Sequence, residues 1–256
     1  VLLTGATGGI GNAIARAVAA RGAQLVLTGR RMEALEPLAA ELGAAVVACD
    51  LAERDQVERL VTEAGEVDVL IANAAHPASG LFTEFDQQKI DKLLEVNLRA
   101  PIALARALAP PMIARRRGHL VFISSLAGKA ASPASAIYSA TKFGLRGFAL
   151  GAREDLRPHR VGVSVVLPGF IRDAGMFAEA DVELPRGVGT RTPEQVAAAV
   201  LQAVERNRAE IPVAPIALRL GAGLASVAPA LASAASRRMG SDRIASDVAA
   251  GQQHKT

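Results

Sequence analysis

Hydrophobic positions along this chain follow two alternating rhythms. Short runs nearly continuous in Val, Ile, Leu and Ala predict strands at 1–3, 24–28, 45–49, 67–72, 119–124, 162–167 and 210–214. Between them, longer amphipathic stretches predict helices at 9–21, 31–42, 53–64, 86–115, 136–157 and 193–206, the last opened by Thr192 as cap and Pro193 in its first turn. Strands without polar alternation suit a parallel sheet buried on both faces. The pattern therefore predicts an α/β protein: a doubly wound parallel sheet of about seven strands, with helices on both faces, forming a single domain over residues 1–256. In such sheets ligands gather beyond the carboxyl ends of the strands.

Composition narrows this picture. Half of the 256 residues are hydrophobic, enough for a substantial core, and no linker, repeat or low-complexity tract divides the chain. The single cysteine, Cys49, excludes an internal disulfide and reads as a small buried hydrophobe; His76, His119, His159 and His254 lack paired-ligand spacing, so no metal is expected. A net charge of +4 is modest. The run Arg115-Arg116-Arg117 has no interleaved aromatics and reads as a solvated helix end complementing the dipole, so no nucleic-acid partner is expected. Residues 216–256 form a C-terminal extension whose apolar part, 220–236, is short and rich in small residues. Packing on the body or on another subunit is expected there, and a membrane-surface contact is the less favoured alternative. The location is expected to be cytoplasmic, and because Val1 lies inside a strand, a few residues are expected upstream of it.

Candidate chemistry sits at the strand ends. The first strand runs into Thr4-Gly5-Ala6-Thr7-Gly8-Gly9-Ile10-Gly11, a glycine turn opening a helix, whose backbone N–H groups suit an anion such as a phosphate. Its spacing differs from the G-x-G-x-x-G fingerprint. Arg30 and Arg31 follow the second strand, where arginine accommodates the 2′-phosphate of NADP and an acid would bind the ribose of NAD; alternatively both simply begin a solvated helix. Asp50-Leu51 follows the third strand, its carboxylate an acceptor for an adenine amino group or a cap for the next helix. Asn73-Ala74-Ala75 ends the fourth with small side chains that let backbone approach a cofactor. Ser124-Ser125 ends the fifth, with one hydroxyl facing the crevice, and Pro168-Gly169-Phe170 ends the sixth. Tyr138 is the only tyrosine, and it stands four residues before Lys142 in a chain with 24 arginines and five lysines. On one helix face the ammonium is expected to lower the phenol pKa from about 10, making Tyr138 a candidate general acid/base.

Taken together and in order, Thr4-Gly5-x-x-x-Gly9-Ile10-Gly11, Asp50-Leu51, Asn73-Ala74-Ala75, Asn97, Ser125, Tyr138-x-x-x-Lys142 and Pro168-Gly169 resemble the short-chain dehydrogenase/reductase family over about residues 1–215. The resemblance implies a Rossmann-like fold and a catalytic tetrad of Asn97, Ser125, Tyr138 and Lys142. Tyr138 would exchange a proton with the substrate oxygen, Lys142 lower its pKa and hold the nicotinamide ribose, Ser125 polarise the carbonyl, and Asn97 support a water-mediated proton relay. It also implies cofactor contacts from Gly5, Thr7, Gly9, Ile10, Gly11, Arg30, Arg31, Asp50, Leu51, Asn73, Ala74, Tyr138, Lys142, Pro168, Gly169 and Ile171. Three positions depart from the family pattern: Ala75 for a glycine, Thr7-Gly8 for two serines, and Asp173 for a threonine that binds the nicotinamide carboxamide. A substrate lid is expected at 170–191 over an apolar pocket, although the same apolar residues also suit core packing. The expected function is an oxidoreductase interconverting a lipophilic ketone or aldehyde and an alcohol, with NADP preferred over NAD; the alternative is an NADP-binding sensor or scaffold with little turnover. A homo-oligomer, dimer or tetramer, built on helices 86–115 and 136–157 is also implied.

Overall fold

The computed structural model of the protein describes residues 1–174 and 189–230. Its strands are β1 (Leu2–Thr4), β2 (Val26–Gly29), β3 (Ala45–Ala48), β4 (Val69–Ala72), β5 (Gly118–Ile123), β6 (Val161–Pro168) and β7 (Glu210–Val213). The helices are α1 (Gly9–Ala19), α2 (Met32–Leu42), α3 (Arg54–Ala64), α4 (Gln87–Leu94), α5 (Ala100–Arg115), α6 (Ala136–Leu156), α7 (Pro193–Arg206) and α8 (Ile216–Val227). All seven strands run parallel in the order β3-β2-β1-β4-β5-β6-β7. Their carboxyl ends therefore share one rim, and the chain order reverses direction at β1, between β2 and β4. That junction is where a crevice opens in a doubly wound sheet.

Alternation along each strand divides the core in two. Leu2, Leu70, Leu120 and Val165 point to one face, against Leu60, Leu104, Leu108 and Leu145 of α3, α5 and α6. Their neighbours Leu3, Ile71, Val121 and Val166 point to the other, against Ile14, Leu35, Val196 and Val200 of α1, α2 and α7. Each such leucine, removed from water, contributes about 1.5–3 kcal/mol, which is why the strand runs needed no polar face. Thr192 and Gln195 form a capping box at the start of α7, as the Thr-Pro pair predicted.

Two elements differ from the sequence expectation. The helix expected at 86–115 is interrupted by a wide π turn at Glu95–Arg99, which carries Asn97. The arginine run does end α5 with Arg116 and Arg117 exposed, but Arg115 is half-buried: it donates to the Val67 carbonyl at 3.1 Å and pairs with Glu66 and Asp68, and Arg117 pairs with Asp68 at 2.9 Å. Arg116 ends the helix in the left-handed conformation (φ 52°). The run thus fastens the end of α5 to the start of β4. Among the described residues no helix is long and apolar enough to cross a membrane. Residues 231–256 of the C-terminal extension lie outside the described residues.

His119 on β5 is expected to make stability depend on pH. Its ring is buried, with Nε2 2.8 Å from Ser164 Oγ, in space left by Gly162, whose Cβ would stand 2.2 Å from the ring. Burial, with a smaller contribution from Arg153, lowers its pKa to about 4. Between that value and the unfolded value of about 6.5, the unfolded chain binds a proton that the native protein excludes, so stability falls as pH falls through this window. We expect the wild type to lose on the order of 3 kcal/mol more than His119→Gln between pH 6.5 and 4. Urea midpoints measured across that range test it, and parallel curves for the two proteins would refute it.

Candidate active site

The glycine turn is built by close approach. Gly5 has φ +67°, which favours glycine, and a Cβ on Gly11 would lie 2.1 Å from the Gly5 carbonyl oxygen. A Cβ on Gly9 would lie 2.5 Å from Cβ of Ala174, in the segment that follows β6. Helix α1 begins without a side-chain cap at Gly8 and with no acidic residue in its first turn. Its leading N–H groups and positive dipole end are thus available to an anion. Thr7 and Ile10 are half-buried at the same turn. Asn73 ties the turn to the end of β4: its Nδ2 donates to the carbonyls of Thr4 and Gly5 at 3.1 and 3.0 Å. Thr4 Oγ1 in turn accepts from the backbone N–H groups of Asn73 and Ala74, both at 3.0 Å. Thr4 is a second fastening that strand periodicity does not single out.

Arg30 and Arg31 are exposed just beyond β2. The half-buried His76 has its pKa lowered by burial first, then by Lys92, Arg30 and Lys89. Asp50 opposes these cations, so the net effect near His76 is set mainly by burial. Asp50 is not the cap of α3: Glu53 occupies that position, and Asp50 Oδ1 accepts from the Ala52 N–H at 3.0 Å in a local turn. Leu51 beside it is buried in the core.

Tyr138 and Lys142 project from one face of α6, with Lys142 Nζ 5.6 Å from the centroid of the Tyr138 ring. The lysine is 1% exposed, and its ammonium donates to the Ile123 carbonyl at the end of β5, at 3.1 Å. Burial lowers its pKa to about 8, which leaves it mostly protonated at neutral pH. The tyrosine departs from the sequence expectation. Its pKa is not lowered in this structure but pushed up to about 12, because burial penalises the phenolate more than the hydrogen bond to Ser125 favours it.

Of the two serines, Ser125 is the one that acts on the Tyr138 phenol, favouring its ionised form. Its Oγ accepts from the Ala127 N–H at 3.1 Å and lies 3.5 Å from the Pro168 carbonyl. Ser124 is buried and donates instead to the Lys142 carbonyl at 2.9 Å. Asn97 is fully buried in the π turn and clamps the backbone of His76 on both sides: its Oδ1 accepts from the His76 N–H at 2.6 Å, and its Nδ2 donates to the His76 carbonyl at 2.9 Å. The Thr141 hydroxyl stands 3.5 Å from the same amide. Asn97 is thus joined to both the β4 loop and α6. A π turn leaves no mark in hydrophobic periodicity, so sequence reading found the residue but not its setting.

Beyond β6, the Gly169 N–H donates to the Val213 carbonyl at 3.0 Å, and Ile171 forms a bridge with Arg191. Residues 175–188 of the expected lid lie outside the described residues. Asp173 adopts a left-handed conformation (φ 65°), and its exposed carboxylate lies 3.7 Å from Arg172 Nε.

A parallel sheet reversing direction at β1, a glycine turn at that reversal and a tyrosine-lysine pair on the same rim define a Rossmann-like α/β protein. The profile described as short chain dehydrogenase matches residues 1–184, and the chain belongs to that family. It is 34% identical to the dehydrogenase/reductase SDR family member 7B of Bos taurus, over 90% of this chain and 78% of that protein. Its identity to the ketoacyl reductase HetN of a Nostoc species is 36%, over 82% of this chain and 77% of the relative. Among solved structures, a metagenomic short-chain oxidoreductase in complex with NADP superimposes with a TM-score of 0.70 at 35% identity, covering 84% of this chain and 96% of the other.

Proposed function

We propose that the protein interconverts a carbonyl compound and its alcohol, with NADP(H) as the redox partner. The carrying observation is the pairing of Tyr138 with a buried Lys142 held to the end of β5, on the rim that also bears Ser125 and the glycine turn. The turn fits a dinucleotide: the uncapped α1 N-terminus suits a pyrophosphate, and a Cβ at Gly11 or Gly9 would strike the turn backbone or Ala174 and displace the cradle. Gly5, Gly9, Gly11, Thr7 and Ile10 would surround the pyrophosphate. Asn73, Ala74, Pro168, Gly169 and Ile171 would line the path towards the nicotinamide, and Asp50 and Leu51 the adenine end.

When bound, the nicotinamide supplies or accepts the hydride. The residues of this chain handle the proton and the geometry. Ser125, whose Oγ is held by the Ala127 N–H, would turn its hydrogen from the Pro168 carbonyl, a long 3.5 Å away, to the substrate oxygen and orient the carbonyl. Tyr138 gives that oxygen a proton in reduction and takes one in oxidation. Lys142 places positive charge beside the phenol, and Asn97 fixes the His76 backbone at the edge of the site. The exposed Arg30 and Arg31 just beyond β2 support NADP over NAD, as does the NADP complex of the solved relative. The ketoacyl reductase relative and the apolar residues Phe170 and Met176 support a lipophilic ketone or aldehyde as substrate.

Fluorescence titration with NADPH and NADH, followed by oxidation of NADPH against a panel of ketones and aldehydes, tests the proposal. Arg30→Ala/Arg31→Ala is expected to weaken NADPH binding by about ten- to hundredfold, the scale of one or two charge-assisted hydrogen bonds, with NADH little changed. Equal losses for both nucleotides would remove the case for NADP, and a wild type that binds NADPH but turns over no carbonyl would sink the enzyme reading.

A further inference from the structure

The two halves of the acid/base site, the Ser125 turn and the Tyr138 face of α6, are joined by one carboxylate from a distant strand. Ser125 opens a short 3-10 turn, Leu126–Gly128, closed by backbone bonds from Gly128 to Ser125 and from Lys129 and Ala130 to Leu126, each 2.9 Å. Lys129 is thus rigidly connected to the catalytic serine. Its ammonium donates to Glu210 Oε1, at the start of β7. The other carboxylate oxygen, Oε2, accepts from Arg146 Nε at 2.6 Å. Arg146 lies one helical turn beyond Lys142 and two beyond Tyr138, on the same face of α6. All three groups are largely shielded, with side chains 23%, 18% and 24% exposed for Lys129, Glu210 and Arg146. Burial pulls the Glu210 pKa up, but the bonds from Lys129 and Arg146 outweigh it and leave it below the usual carboxylate value. From the opposite side, Ser226 of α8 donates to the Lys129 carbonyl at 3.0 Å.

We propose that Glu210 is a positioning residue whose carboxylate bridge holds the Ser125 turn in register with the Tyr138 face of α6. Without its charge, Lys129 and Arg146 are two poorly solvated cations facing each other, and their repulsion drives the turn away from the helix. The bridge fixes where the Ser125 turn lies against α6, and its effect on turnover rests on the function proposed above. It acts through placement, since Glu210 itself touches neither reacting group.

Glu210→Gln keeps the shape and removes the charge. Three changes are expected: faster amide hydrogen exchange across residues 125–130 with α1 unaffected, kcat lower by about ten- to hundredfold with NADPH affinity retained, and a displaced pH profile. In the alcohol-oxidation direction the rise of kcat/KM with pH moves upward, because the Ser125 bond that favours the phenolate is weakened. Glu210→Asp, which retains the charge, is expected to restore most of the rate and the profile. Unchanged exchange across 125–130 together with a wild-type pH profile overturns the proposal. If Glu210→Gln does not fold, Arg146→Met removes one arm of the bridge and is read by the same measurements. A wild type that turned over no carbonyl would refute the enzymatic reading alone, because the exchange data would still decide whether Glu210 holds the turn.

Discussion

Tyr138→Phe is expected to lower turnover by about 10²- to 10⁴-fold, the usual range for loss of a positioned general acid, while NADPH binds as in the wild type. The substitution keeps the ring beneath which Lys142 sits and removes only the hydroxyl that Ser125 contacts. Packing therefore has little reason to change, and the loss belongs to the proton step. The chain has one tyrosine and no tryptophan, so tyrosinate absorbance reports this residue alone. In the free protein it is expected to appear only near pH 12, since burial outweighs the serine's hydrogen bond, and to vanish in Tyr138→Phe. Ser125→Ala removes an interaction that favours the phenolate and is expected to push the titration higher still. Full turnover in Tyr138→Phe would take the acid/base role away from this residue.

Among the described glycines, Gly11→Ala is expected to be one of the most damaging single-methyl changes. The added carbon would lie 2.1 Å from the Gly5 carbonyl oxygen and 2.9 Å from Ala6 Cα, both backbone atoms that cannot rotate away. Either α1 moves off the turn or the turn itself opens, and both spoil the cradle. A cost of about 1–3 kcal/mol or more is typical of such overpacking, equivalent to several degrees in Tm, and the loss of NADPH affinity should exceed tenfold. Gly8→Ala is the control: its Cβ would meet nothing nearer than 3.7 Å, and Gly8 already has an extended backbone. Near-wild-type binding by Gly11→Ala would show that the cradle tolerates displacement of α1. Equal loss in the two variants would mean that turn flexibility, rather than clearance, is what the glycines supply.

Much of this was legible in the sequence because the sheet is buried on both faces. Apolar runs without polar alternation located all seven strands to within about two residues, and the glycine turn and the Tyr138–Lys142 spacing pointed to the rim where those residues lie. What escaped depends on partners remote in the chain. Glu210 meets Lys129 across 81 residues and Arg146 across 64, and no local pattern marks such a meeting. The solvated helix end read at 115–117 holds for Arg116 and Arg117 but not for Arg115, whose carbonyl and carboxylate partners lie far off in the chain, at Glu66, Val67 and Asp68. The phenol pKa went the other way for a related reason: spacing places an ammonium near a ring, but only the packed structure determines how much water both have lost. Asp50 shows a smaller ambiguity, since an aspartate that can cap a helix can also close a turn one step earlier.

The strand order has a consequence for how the chain comes to be folded at all. β1 sits in the interior of the sheet, paired on one side with β2 and on the other with β4, Leu2 lying opposite both Val26 and Leu70. One flank of this strand must therefore wait until some seventy residues have been made, and the Tyr138 helix later still, before its neighbours exist. During that interval an apolar strand with an open edge is exposed to every other nascent chain, the circumstance in which parallel sheets fold slowly and aggregate. Chaperone dependence and yield during synthesis are then properties of where β1 lies in the sheet, set before any question of catalysis arises.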